Sequence, residues 1–151
     1  NEEIKAGIEN LPSIPGRNHI IITDKLTILD DCYNANPIST KASIDVLDMA
    51  IGRKVAVLGN MGELGANEKE LHHETGAYAA EKGVDVVCAI GDLAKEIANG
   101  ASVDGTEVHW FETKADFLAE MKNIMKEGDN VLVKASHGMH FPELVEALEA
   151  L

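Results

Sequence analysis

Aromatic residues are scarce: one Trp, two Tyr and three Phe in 151 positions, so the interior must be built from aliphatic side chains. Positive charge is also short. Thirteen Lys and Arg stand against 26 Asp and Glu, a formal net charge of -13 that disfavours sequence-independent grip on a nucleic-acid backbone or an anionic membrane surface. The only two cysteines, Cys32 and Cys88, have no CxxC spacing, so neither a disulfide framework nor a zinc site is indicated, and a reducing cytoplasm fits. No apolar run reaches membrane-spanning length, and Asn1 to Ala6 are polar and acidic rather than a basic lead into an apolar stretch. An initial methionine is missing, the start expected either of a fragment of a longer protein or of a processed terminus. The glycine-rich nucleotide loops GxGxxG and GxxxxGKS/T are absent as well.

What remains is 45% hydrophobic and 26% charged, enough for one compact folded unit. Short apolar runs alternate with amphipathic stretches, which predicts an α/β fold. The expected strands are Ile20 to Thr23, Leu26 to Asp30, Lys54 to Leu58, Asp85 to Ile90, Glu107 to Phe111 and Asn130 to Lys134. Several are nearly continuous Val, Ile, Leu and Ala, as in a parallel sheet covered by helices on both faces. Asn36-Pro37 opens a helix whose apolar face is expected to run through Ile38, Ala42, Val46, Leu47, Ala50 and Ile51. Thr113 and Asp116 start another, closed by Gly128; Asp92 starts a short one ended by Gly100; and Pro142 opens the last. Pro12, Pro15 and Gly16 mark Asn1 to Asn18 as a linker.

In such a sheet ligands bind beyond the carboxyl ends of the strands, where helix N-termini present unpaired amides. Four strand exits are polar or glycine-rich: Asp30 to Pro37, Gly59 to Gly65, Gly91-Asp92, and Lys134 to His140. Asp31 is placed either to accept bonds from sugar hydroxyls or to support the next helix, and Asn34 and Asn36 offer both donor and acceptor, Asn36 also as a helix cap. Tyr33 either stacks on a purine or forms a rim. Gly59, Gly62 and Gly65 are expected to supply positive φ angles for a tight turn, with Glu63 as a candidate site carboxylate. His72 and His73 lack metal-binding spacing and read as surface or helix-packing residues. Lys134, Ser136 and His137 provide cations and a hydroxyl suited to a substrate carboxylate, without the strained elbow of a nucleophilic serine. Arg17 either lies on the surface or reaches a phosphate held by a neighbouring domain.

Taken together, Pro15-Gly16-Arg17, the run Asp30 to Pro37, Val57 to Gly65, Glu70-Leu71-His72 and Val131 to Met139 resemble the C-terminal domain of a Mur ligase, of the type that adds D-alanyl-D-alanine. The resemblance implies a Rossmann-like, mainly parallel sheet of about six strands, with residues 19–151 as that domain and 1–18 as the linker or tail of a preceding central domain. It implies an ATP-dependent amide ligase of peptidoglycan precursor synthesis in the cytoplasm, acting on D-alanyl-D-alanine and a UDP-N-acetylmuramoyl-tripeptide. The P-loop and magnesium ligands would belong to the central domain, so this chain alone would be inactive. By position, the resemblance puts Arg17, Asp31, Tyr33, Asn34 and Asn36 on the ATP side and Asn36, Lys134, Ser136 and His137 on the dipeptide side. The sequence departs from the family pattern at Cys32, Ala135, His137 and His140, where serine, glycine and two arginines are usual. Other readings are another Mur-type or folylpolyglutamate-synthase-like ligase, or a free-standing α/β module that binds a small ligand.

Overall fold

The computed structural model describes residues 19–32, 35–62, 64–103 and 105–151. Six strands, β1 (His19–Ile22), β2 (Thr27–Asp30), β3 (Lys54–Gly59), β4 (Val86–Ile90), β5 (Glu107–Phe111) and β6 (Asn130–Lys134), form one sheet in the order β1-β2-β6-β3-β4-β5. All neighbours pair in parallel except β1 with β2, so the expected mainly parallel α/β sheet is what forms. The expected strand bounds agree within about a residue, because β2, β3, β4 and β6 are buried along almost their whole length and must read as unbroken apolar runs.

Helices α1 (Pro37–Asp48), α2 (Glu68–Glu81), α3 (Ala94–Ala101), α4 (Lys114–Ile124) and α5 (Pro142–Glu149) follow β2, β3, β4, β5 and β6 in turn. The path from β2 to β5 moves one way across the sheet and the return from β5 to β6 moves the other. Right-handed crossovers therefore put α1, α2 and α3 on one face and α4 on the opposite one. The side chains obey this: Ala56, Leu58, Val87, Ala89 and Leu132 pack with Ile44, Leu47, Ala79 and Ile97. Their strand neighbours Val55, Val57, Cys88, Ile90, Val131 and Val133 pack with Phe117, Met121, Leu144 and Leu148 of α4 and α5.

Several local expectations need correction. In α1 the buried residues are Thr40, Ser43, Ile44 and Leu47, while Ile38 is 84% exposed and Ile51 is exposed; two polar residues turn inward because they have partners at the sheet edge. Gly128 does not close α4. The helix stops at Ile124 and Met125 is extended, because the Asp129 carboxylate captures the Lys126 amide at 2.8 Å. Gly100 lies inside α3, not after it. A Cβ there would lie 1.9 Å from the His73 carbonyl, and one at Gly76 1.9 Å from the Ile97 carbonyl, so these glycines let α2 and α3 cross backbone to backbone. Of the three loop glycines only Gly65 has positive φ; Gly59 is needed because a Cβ would meet Phe141 at 2.6 Å and Ala135 at 2.7 Å.

Candidate functional site

The strand order makes one edge of the sheet special. β6 lies between β2 and β3, and the helix after β2 covers one face while the helix after β6 covers the other, so the chains leave neighbouring strands in opposite directions. A crevice opens at such a reversal, beyond the carboxyl ends. The exits of β2, β3, β4 and β6 all lie along that edge.

At its centre the two chains leave side by side. Asp30 pairs with Val133 in the parallel register, which brings the next residues outward, Asp31 and Lys134, together. Lys134 Nζ is 2.7 Å from Asp31 Oδ2 and 3.5 Å from the Asp31 carbonyl. Asp31 is 6% and Lys134 3% exposed, so this is a buried ion pair. The Ser43 hydroxyl, one of the inward polar groups of α1, hydrogen-bonds Asp31 Oδ2 and lies 3.0 Å from the Ser39 carbonyl. A buried cation whose ionic partner among the described residues is Asp31 is costly to leave unpaired, so the pair joins the first and last loops firmly.

Asn36 is the N-cap of α1. Its Oδ1 accepts from the Ser39 amide at 2.8 Å while Ser39 Oγ accepts from the Asn36 amide at 3.1 Å, a reciprocal box that uses the asparagine oxygen. Cys32 is buried, and its thiol donates to Asp30 Oδ1 at 2.8 Å; burial first, and that carboxylate second, push its pKa up to about 12.

The loop after β3 is tied from several sides. Asn60 Oδ1 accepts from the Ala94 amide and Asn60 Nδ2 donates to Asp92 Oδ1, both at 2.8 Å. That bond holds the Asp92 carboxyl below the usual range, with the Leu93 amide adding to it. Ser136 donates its amide to the Asn60 carbonyl at 2.9 Å. His72 is fully buried: its Nε2 accepts from the Met61 amide at 2.9 Å, so its Nδ1, 2.5 Å from the Glu68 carbonyl, carries the proton. His73, by contrast, is exposed. The adjacent-histidine pair is thus one loop anchor and one surface residue.

Beyond β6, Ala135 is buried, Ser136 is half-buried and His137 exposed at the start of a short turn, His137–Met139. The turn ends at His140, a non-glycine residue with φ of 55°, whose carbonyl accepts from Lys114 Nζ at 3.3 Å. The two imidazole rings are 6.5 Å apart. Asp31, Asn36, Lys134, Ser136 and His137 therefore share one edge, with Asp31 and Lys134 facing each other beneath it. Arg17, Tyr33, Asn34 and Glu63 lie outside the described residues, as does the expected linker. Among the described residues, no three His, Cys, Asp or Glu side chains converge as metal ligands, and no helix is long and apolar enough to cross a membrane. A hollow of about 510 Å³ bordered by Lys25, Lys122, Met125 and Lys126 lies at the other, amino edge of the sheet.

Sequence reasoning missed the roles of Thr40, Ser43 and Asn60, and left His72 between the surface and helix packing, of which burial supports the second. The available signal was polarity at a core-facing helical position: Thr40 and Ser43 are three residues apart on the same side as Ile44 and Leu47, with the Thr40 hydroxyl donating to Met61 Sδ at 3.6 Å.

The chain matches the family described as Mur ligase, glutamate ligase domain, over residues 16–137. A curated relative, the UDP-N-acetylmuramoyl-tripeptide--D-alanyl-D-alanine ligase of Bacillus subtilis (strain 168), is 37% identical over 152 residues, taking in 97% of this chain and 33% of its own. Among solved structures, MurF from Acinetobacter baumannii superposes with a TM-score of 0.85 at 32% identity, covering 99% of this chain and 34% of that one. MurF ligase from Thermotoga maritima, solved in complex with ADP, gives 0.78 at 29% identity, covering 93% and 32%. The chain spans about a third of the length of the curated relative it matches.

Proposed function

The chain belongs to the Mur ligase family through its glutamate ligase domain, and from that premise we propose that it is the C-terminal part of an ATP-dependent ligase joining D-alanyl-D-alanine to a UDP-N-acetylmuramoyl-tripeptide in cytoplasmic peptidoglycan precursor synthesis. The observation that carries this reading is that a relative named for that ligation aligns with 97% of the chain at 37% identity. The ADP bound to a relative of the same fold supports a nucleotide at the cleft.

The chemistry divides into two balanced steps. The γ-phosphoryl group passes from ATP to the tripeptide carboxylate, releasing ADP, and the dipeptide amine then attacks the acyl phosphate carbonyl and displaces phosphate. An acyl phosphate is lost to water unless the site is closed, so a domain that covers it contributes orientation and dryness more than acid-base catalysis. The carboxyl edge is suited to that task. Asn36, Ser136 and His137 lie on its accessible side, and Arg17, Tyr33 and Asn34 belong to the same two loops and the preceding segment; we assign Arg17, Tyr33, Asn34 and Asn36 to the nucleotide, and Asn36, Ser136 and His137 to the dipeptide. Asp31 and Lys134 fix the spacing of the loops as a pair, and we keep Asp31 on the nucleotide side and Lys134 on the dipeptide side. Magnesium we assign mainly to a preceding central domain, as the resemblance to Mur ligases implies.

The test is product formation. Full-length protein supplied with ATP, magnesium, UDP-N-acetylmuramoyl-tripeptide and D-alanyl-D-alanine should form ADP only when both acceptor substrates are present, with a pentapeptide product identified by mass. Absence of product, or turnover that requires a different amine, would contradict the proposal.

A further inference from the structure

In the glycine-bordered loop after β3 no described residue carries a ligand role. Asn60, its first residue beyond the strand, spends all of its outward polar groups on other loops. Its amide oxygen takes the Ala94 N–H at the start of α3, its amide nitrogen reaches the Asp92 carboxylate at the exit of β4, and its backbone carbonyl takes the Ser136 N–H at the exit of β6. The amide cannot be reversed, since reversal would set an N–H against an N–H and an oxygen against a carboxylate. Contact with the β4 exit is close: a Cβ on Gly91, which has a φ of 116°, would lie 2.5 Å from Asn60 Oδ1. The next residue continues the junction, Met61 donating to His72 of α2 and accepting from Thr40 of α1. Two consecutive residues thus hold α1, α2, the head of α3 and the chain beyond β6.

We propose that Asn60 is a positioning residue for the amine side of the cleft, setting the Ser136–His137 segment against the Asp92–Ala94 turn while touching neither ligand. This rests on the ligase reading above for what that segment binds. The physical basis is the sensitivity of amide formation to placement: the attacking nitrogen must sit in line with the activated carbonyl, and displacement of its binding groups by about 1 Å can cost on the order of a hundredfold in rate. The segment beyond β6 is short, partly exposed and held on its inner side by the Asn60 carbonyl, whose own place is fixed by the two side-chain bonds.

The experiment uses full-length protein carrying N60A, N60D or the double substitution N60D/D92N. N60A removes both side-chain bonds. N60D keeps an acceptor for the Ala94 amide but sets carboxylate against carboxylate, and the double variant exchanges the amide and the carboxylate between the two positions, relieving that repulsion and reversing the bond at the cost of the one from the Leu93 N–H. Two quantities are read: hydrogen exchange of the Ser136 amide, and the KM for D-alanyl-D-alanine beside that for ATP. In both single variants Ser136 should exchange roughly tenfold faster and the dipeptide KM should rise roughly fivefold, with the ATP KM within about twofold and partial recovery in the double variant. A folded N60D with the parent's dipeptide KM would overturn the proposal. So would both KM values rising together with lost thermal stability and no recovery in the double variant. If the parent protein does not ligate, the proposed function falls, while unchanged Ser136 exchange in N60A and N60D would separately overturn the role of Asn60.

Discussion

Lys134 Nζ and Asp31 Oδ2 lie 2.7 Å apart across 103 residues of sequence, both nearly excluded from solvent. The parallel register of β2 with β6 brings them there, and it joins in an internal ion pair two residues that also read as ligand contacts. Removing Asp31 strands the buried Lys134 charge, and removing Lys134 takes an ionic partner from the buried Asp31 carboxylate. Asp31→Ala or Lys134→Ala should each destabilise the fold by about 3–5 kcal/mol, and Asp31→Asn with Lys134→Met by less than the sum of the single changes. Urea unfolding midpoints check this; single variants unfolding with the parent would show that the pair holds nothing. In full-length protein Asp31→Ala should also raise the KM for ATP, by loosening the loop that carries Tyr33 and Asn34.

Neither thiol should react in the native state. Burial pushes Cys88 up to about 12, and burial with the Asp30 carboxylate does the same for Cys32. At pH 8 only on the order of one thiol in ten thousand is then thiolate, the reactive form. Iodoacetamide should label neither cysteine at pH 8 and both in denaturant. Rapid native labelling of Cys32 would mean that the Asp30 to Pro37 loop opens readily.

Gly76→Ala and Gly100→Ala should each be poorly tolerated, because the added methyl would meet a backbone carbonyl of the facing helix at 1.9 Å and backbone cannot swing aside. Overpacking on that scale costs about 1–3 kcal/mol or more, so Tm should fall by roughly 5–10 °C in each variant. Parental Tm values would show that α2 and α3 do not cross this closely.

The strands and the polar carboxyl edge were legible in the sequence because they rest on two short-range signals, unbroken apolar runs and polar exits. Helix α2 was less legible. Its buried residues are His72, Thr75, Gly76 and Ala79, a face of small and polar side chains that carries no apolar stripe. The face of α1 was displaced for a related reason: Thr40 and Ser43 occupy inward positions that serve the loops, and Ile38 is left in solvent at 84% exposure. The pairing of Asp31 with Lys134, and the reach of Asn60 to Asp92 and Ser136, depend on register and strand order, which local pattern does not contain.

Asp92 offers a pH readout. Its carboxyl is held below the ordinary aspartate range, first by the Asn60 amide and then by the Leu93 N–H. A depressed acid contributes stability above its unfolded pKa and loses it as pH falls through the lower native value. The side-chain carbon resonance of Asp92 should therefore titrate below the ordinary aspartate range in the parent and move upward in Asn60→Ala. Identical midpoints would mean that this bond does not form in solution.

The most direct test of the account asks which edge of the sheet meets ligands. Hydrogen exchange of the full-length protein, with and without ATP, magnesium and both acceptor substrates, should show protection along 31–36, 60–62, 91–94 and 134–140. Exchange at 25–26 and 122–127, beside the lysine-lined hollow at the amino edge, should be unchanged. Protection confined to the amino edge, or none at the carboxyl edge under conditions where product forms, would contradict the account.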